Sequence, residues 1–433
     1  MTAGARGLGR RAVRAAPVLA VVLVVAVAFL PRSAPYDLQV FLRAGHRLAG
    51  GGDVYPAPGS RSVYSGFSFV YPFVMAWPFA ALAWLPDPVA VGICTAVGFA
   101  AVLGACTLAG PGGRLPPVLL LLSSFTLVGL QLGSMSVLLL FGLVAAWRLR
   151  DRPLWFALVA TPLVASKLFL APLLLWLLLT GRWRALGGTV AGLIGVLGLG
   201  FLTGPLGPVA YARLLGALAR HEAASGLGFI SLLRGLGVSP TASELLAVAL
   251  AGAVVWWATL RMRRTGDERW LYSAAVVAAL LLTPVLWSHY LVLLAAPLLV
   301  AEAGPLWFAG FAVSSWAVTV PHGSNAMTDV LGLVLLLPIA GYAAREQVAR
   351  FWRGAVLAAG LAIAGIAVGL TVLTGPVSWH PASTALAVVI SLAVLRANPG
   401  LDRVRFSGQR RGEVLHPGGG DQHVVLDPDA DPA

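Results

Sequence analysis

A chain of 433 residues that is 58% apolar and only 11% charged, with a mean hydropathy of +0.86, is not an ordinary soluble domain, in which about a quarter of the residues are charged. Its net charge of +13 does not point to nucleic acid either, because the arginines gather beside apolar runs: Arg6 to Arg14, Arg148/Arg150/Arg152, Arg182/Arg184, Arg261/Arg263/Arg264/Arg269, Arg345/Arg350/Arg353 and Arg396/Arg403/Arg405. Short basic loops stay on the cytoplasmic side of a bilayer, so composition and charge placement together predict an all-α polytopic membrane protein.

Apolar segments fall at 15–31, 67–85, 88–109, 117–132, 134–148, 154–166, 168–180, 185–203, 243–260, 270–286, 290–303, 306–320, 327–343, 354–375 and 382–397, enough for about 12 to 14 transmembrane helices. The first follows Arg6, Arg10, Arg11 and Arg14 and lacks a small-residue cleavage site, so it reads as an uncleaved helix rather than a signal peptide. Residues 32–66 then lie outside. Within them "DLQVFLRAGHRLA" predicts a helix with Leu38, Phe41, Leu42 and Leu48 as an apolar stripe and Arg43 and Arg47 one turn apart on another face. That pattern predicts an amphipathic helix in the first extracytoplasmic loop, lying on the outer membrane surface.

Four apolar segments separate this outer loop from the basic loop near 150, where only an odd number of crossings fits. The segment 67–85, interrupted by Pro72 and Pro78, is expected to be the one that is re-entrant or flat. Segments 154–166 and 168–180 would each be about 20 Å long at ~1.5 Å per residue, short of the ~30 Å hydrocarbon core. Basic loops flank the pair, so the chain must enter and return, with Lys167 at the tip of a short hairpin. Cys94 and Cys106 share one apolar segment and read as packing residues. Residues 204–242 form a second outer loop. An integral membrane domain over 1–397 is followed by a tail, 398–433, rich in Gly, Pro and Asp and expected to be disordered and cytoplasmic. No strong internal repeat is visible, which argues against a transporter built from inverted halves.

Ionisable groups in or beside a membrane are costly and mark function. On the outer side they are Asp37, Arg43, His46, Arg47, Asp53, Arg61, Glu222, Arg234, His289, His322, Asp329 and His380. Lys167 is the only lysine in the chain. It reads either as a side chain snorkelling to the interface or as a point charge for a phosphate or carboxylate. Asp37 reads either as a helix cap or as a base, since an exposed aspartate is ionised at neutral pH and can accept a hydroxyl proton. His289 reads either as a helix-end cap or as a hydrogen-bond donor to phosphate or sugar. No Gly-rich phosphate loop is present, so a nucleotide-sugar site is not expected; neither is a metal or any other cofactor.

The succession "YDLQVFLRAGHRLAGGGDVY", "FVYPFVMAWPFAALAWLP", "SKLFLAPLLLWLLLTGRWRAL" and "LLTPVLWSHYLVLL" resembles the polyprenyl-phosphate-mannose-dependent mannosyltransferases of glycosyltransferase family 87, over about residues 15 to 397. The resemblance implies a GT-C fold and an enzyme that moves mannose, with inversion, from a polyprenyl-phosphate donor to a lipid-linked or envelope glycan acceptor. Its partners would be membrane lipids, that donor and a glycolipid or glycan acceptor. It would sit in the cell membrane with both termini cytoplasmic and the active site extracytoplasmic. Residue by residue, the family's first-loop aspartate and catalytic base matches Asp37. Its downstream tyrosine matches Tyr55, its "YP" pair Tyr71 and Pro72, its lysine Lys167 before Pro172, and its histidine His289. Lys167, His289, Arg43, Arg47, Tyr55 and Tyr71 would then serve donor phosphate and sugar. The sequence departs from the family at Gly133-Ser134-Met135-Ser136, where the pattern carries amides, at Tyr290, where it carries a second histidine, and at Gly228-Phe229-Ile230-Ser231. These departures bear on the acceptor and the sugar. A pentose such as arabinose is the alternative within the class, a lipid-linked sugar transporter or flippase the alternative outside it, and a structural subunit of an envelope complex a third.

The charge pattern makes a topological prediction. A cysteine introduced at Ser60 should react in intact cells with an impermeant thiol reagent, and one at Gly266 should not; the opposite labelling would put Asp37 in the cytoplasm.

Overall fold

In the computed structural model, residues 3–30, 35–57, 59–110, 113–223, 225–321, 326–348 and 380–397 are described. The expected segment 354–375, the tail and His322 lie outside them. The described residues hold helices and no strand. In order these are α1 (Ala3–Ala28), α2 (Tyr36–Ala49), α3 (Trp77–Leu82), α4 (Asp87–Ala109), α5 (Leu115–Leu122), α6 (Ser124–Leu132), α7 (Ser136–Leu149), α8 (Pro153–Ser166) and α9 (Pro172–Leu179). Then follow α10 (Trp183–Thr203), α11 (Pro208–Glu222), α12 (Phe229–Gly235), α13 (Pro240–Thr265), α14 (Arg269–Leu282), α15 (Ala295–Val300), α16 (Pro305–Val318), α17 (Ala326–Val348) and α18 (His380–Ala393).

Helices α4, α10 and α13 are long and apolar enough to cross a membrane, and the pair α5/α6, bent by 62°, is a fourth if it is one span. Other apolar helices run 10–17 residues. Among the described residues, prolines and 3-10 turns divide several of the other apolar runs into these shorter helices. Pro153, Pro172, Pro208, Pro240 and Pro305 all stand in the first turn of their helices, where a missing N–H costs nothing. The exposed faces are apolar: Ile194 and Leu202 on α10 and Leu245, Val248 and Trp256 on α13 stand clear of the protein, as lipid-facing helices require. Helix α14 and the stretch 288–300 are buried on every side and form the centre of the core. Cys94 and Cys106 are both free on α4.

The segment 67–85 is not one helix. It is irregular to Pro72, a 3-10 turn over Phe73–Ala76, and then the six-residue α3. The pair α8 and α9 goes in and comes back. Arg182, after α9, donates to the Asp151 carboxylate at 2.8 Å and the Arg150 carbonyl at 2.7 Å, both before α8, and forks onto Glu268 at 2.9 and 3.0 Å. Lys167 is at the break between them, extended at φ −142°, ψ 91°. Helix α2 forms as expected, with Arg43, His46 and Arg47 exposed. Its apolar stripe is covered by protein rather than lipid: Phe41 packs on Phe69, Tyr71 and Phe79, and Leu38 and Leu42 pack with Ala90. Gly266 caps α13 in the left-handed region at φ +71°, so the exposed neighbour Thr265 is the better site for the inward-facing cysteine.

The Arg182 hydrogen bond holds the Asp151 carboxyl below its ordinary range. That contribution is present at neutral pH and is lost as pH falls below about 4. Because Arg182 joins three loops, Arg182→Met should lower stability by about 1–2 kcal/mol, read as a lower Tm in detergent. Arg182→Lys should recover only part of it, since an ammonium cannot fork onto Glu268 while reaching Asp151.

Candidate active site

A cavity of about 1150 Å³ opens where several helices stop. Its lining comes from the start of α2, the segment 63–71, the 167–169 break, the end of α11, the 285–290 stretch, residues 316–321, Asp329 of α17 and Ser383 of α18.

Asp37 is in the first turn of α2 and is not its cap; Pro35 holds that position and makes no side-chain cap bond. Two glycines seat the helix. A Cβ on Gly45 would come within 2.4 Å of the Phe79 carbonyl group, so α2 rests directly on the backbone of α3. Gly133 ends α6 in the left-handed region at φ +62°, and a Cβ there would lie 2.6 Å from Cβ of Leu38, the neighbour of Asp37. These contacts bring the carboxylate to His289: Nε2 is 3.4 Å from Asp37 Oδ2, with the imidazole 4% and the carboxylate 20% exposed. His289 opens a 3-10 turn over Ser288–Leu294, and the bare Gly129 of α6 lies against its Cβ.

Lys167 reaches the same cavity. Its ammonium donates to Tyr71 Oη at 2.9 Å and to Tyr290 Oη, and lies 4.5 Å from the centre of each ring. Tyr71 is fixed from behind, since the Tyr55 hydroxyl donates to its carbonyl at 2.7 Å and Phe41 packs on its ring at 4.4 Å. Burial, then the nearby Asp37 and Glu222 carboxylates, hold the Tyr36 phenol above its ordinary range.

Of the residues singled out from sequence, Asp37, Lys167, His289 and Tyr71 meet at this cavity. Tyr55 stands behind Tyr71. Arg43 and Arg47 do not line the cavity: both are exposed, Arg43 with its guanidinium 4.3 Å over the Phe67 ring. His46 points to Asp87 at 3.3 Å. Sequence reasoning missed Tyr290, which had registered only as a histidine lost. It also left Tyr36, Glu222 and Asp329 outside the site, though all three line it. For Glu222 and Asp329 the signal was there, as two carboxylates on the outer side of a protein with few charges. Among the described residues, no group of three His, Cys, Asp or Glu side chains could hold a metal ion.

A family model, glycosyltransferase family 87, matches residues 69–287. No curated protein and no solved structure matches the chain. Tyr71 and Lys167 fall inside the matched residues, while His289 and Tyr290 lie just past their end and Asp37 well before their start.

The seating of α2 can be tested at Gly133. Gly133→Ala should cost about 1 kcal/mol of stability and push Leu38, and Asp37 with it, off position. A misplacement of about 1 Å costs on the order of 100-fold in rate. Gly266→Ala carries the same backbone strain, at φ +71°, with nothing within 4 Å of the added carbon. It should show the stability loss in a thermal melt while keeping full activity.

Proposed function

The chain belongs to glycosyltransferase family 87, and from that membership we propose that this glycosyltransferase takes mannose from a polyprenyl-phosphate donor, on the extracytoplasmic face of a GT-C membrane fold. The observation that carries the reading is the Asp37–His289 pair at 3.4 Å on the wall of a cavity that also receives the only lysine of the chain. An acceptor hydroxyl placed against Asp37 gives up its proton to the carboxylate as its oxygen forms the new bond to the anomeric carbon. The bond from that carbon to the donor phosphate oxygen breaks, and its electron pair leaves with the polyprenyl phosphate. Attack from the face opposite the leaving group inverts the configuration, from a β-linked donor to an α-linked product.

His289 orients the carboxylate, as a partner within reach of one oxygen does. Lys167 offers its charge to the phosphate of donor and product. The apolar remainder of the lining, including Val285, Trp287, Phe169 and Leu227, suits the start of a polyprenyl chain. The acceptor is a lipid-linked or envelope glycan.

Purified protein incubated with polyprenyl-phospho-mannose and envelope glycolipids should yield mannosylated product, followed by mass. Transfer from a polyprenyl-phospho-pentose alone would replace mannose in this reading. Asp37→Asn keeps the size of the side chain and removes the base, so transfer should fall by at least about 100-fold with folding and donor binding intact. A variant that transfers sugar near the wild-type rate would remove Asp37 from the mechanism.

A further inference from the structure

We propose that Tyr71 and Tyr290 form, together with Lys167, a hydrogen-bonding cradle for the phosphate of a polyprenyl phosphate, in which a tyrosine hydroxyl donates directly to the anion. The inference deepens the proposed function and rests on its choice of a polyprenyl-phosphate substrate.

The argument is an accounting of protons. An ammonium has three N–H donors and no acceptor. Both tyrosine oxygens accept from Lys167, so neither hydroxyl proton can be directed back at it. Neither hydroxyl donates to a carbonyl or carboxylate among the described residues. All three side chains line the cavity. What this wall offers to a ligand is therefore two O–H groups and the remaining ammonium N–H. Donors converging around one ammonium favour an anion.

The rest of the lining requires such a face if a phosphate is to enter. Its carboxylates are Asp37, Glu222 and Asp329, whereas Lys167 is its only lysine or arginine among the described residues. Arg43 and Arg47, the other cations expected to meet phosphate, point elsewhere. One ammonium cannot saturate the oxygens of a phosphate, and a hydroxyl polarised by that ammonium supplies the next donor. Both rings are held in place. Tyr290 is edge-on to His289 at 4.4 Å and tilted on Phe169 at 5.5 Å, while Tyr71 is anchored by Phe41 and Tyr55. The donors thus stand preorganised rather than recruited.

The test is binding, independent of sugar transfer. Full-length protein in nanodiscs is titrated with farnesyl phosphate and, separately, with farnesol. Tyr290→Phe and Tyr71→Phe keep the ring contacts and lose only the hydroxyls. Each should weaken farnesyl phosphate by about 10-fold, the lower range for a hydrogen bond to a charged group, and leave farnesol unchanged. Displacement of farnesyl phosphate by inorganic phosphate supports a cradle for the anion alone. No displacement, with the discrimination against farnesol intact, supports a lipid-borne phosphate. Wild-type affinity for farnesyl phosphate in both variants, or an equal loss for farnesol, overturns the cradle. If the variants lose phosphate-lipid affinity but no polyprenyl-phosphate sugar is transferred, the cradle stands and the proposed reaction falls. If transfer proceeds and the affinities are unchanged, the reverse holds.

Discussion

Apolar surroundings offer no hydrogen bonds, so every helix break in this protein must satisfy its own backbone. Two breaks show how this is done. At the 62° bend between α5 and α6, the Ser124 amide donates to Ser315 Oγ at 2.8 Å, Ser124 Oγ to the Thr319 carbonyl at 2.6 Å, and the Trp316 indole to the Leu122 carbonyl at 2.9 Å. Past α14, the Thr283 hydroxyl donates to the Val285 carbonyl at 3.1 Å and the Leu227 amide to the Leu286 carbonyl at 2.6 Å. Irregular backbone at membrane depth is tolerated where it is enclosed by protein or lines a cavity. Here the breaks at 167–169, 285–290 and 319–321 do line one. The cavity is the place where helices are permitted to stop.

That arrangement sorts the charges. Most arginines stand at helix ends in basic clusters, and Arg182 is spent on tying three loops together through Asp151, Arg150 and Glu268. Arg43 and Arg47 lie on the solvent side of α2 because the opposite side of that helix is taken by packing on Phe69, Tyr71, Phe79 and Ala90. Lys167 is placed inward, and two phenols wrap it with both hydroxyl and ring. An exposed arginine and an enclosed lysine look alike in a sequence. They differ in what a phosphate could reach.

The site is assembled across the ends of the family match. The matched residues hold Tyr71 and Lys167, while Asp37 comes from a helix before them and His289 from a turn after them. Two bare glycines make the assembly close. Gly45 lets α2 rest on the α3 backbone, and Gly133 makes room for Leu38 where α6 ends. Gly133 belongs to the stretch that departed from the family pattern in its amides. Its own contribution is to backbone geometry, which the loss of those amides leaves untouched.

The sequence alone determined that the protein is helical and membranous, that 67–85 is not a regular span, that 153–180 leaves and returns, and which class of enzyme it resembles. Those conclusions follow from hydropathy, proline positions, charge beside apolar runs and segment order, all of which are local properties. It also picked Asp37, Lys167 and His289, because an ionisable side chain beside lipid is rare enough to stand out, and Tyr71 through the resemblance alone. Only the tertiary structure decided that those four meet, that Tyr55 supports from behind, that Arg43 and Arg47 face away, and that Tyr290 is a partner of Lys167 rather than a histidine lost. Each of these depends on contacts between residues far apart in the chain, Lys167 with Tyr290 and Asp37 with His289 among them. Which face of α2 is covered is set by what packs on it, and no periodicity within α2 encodes that.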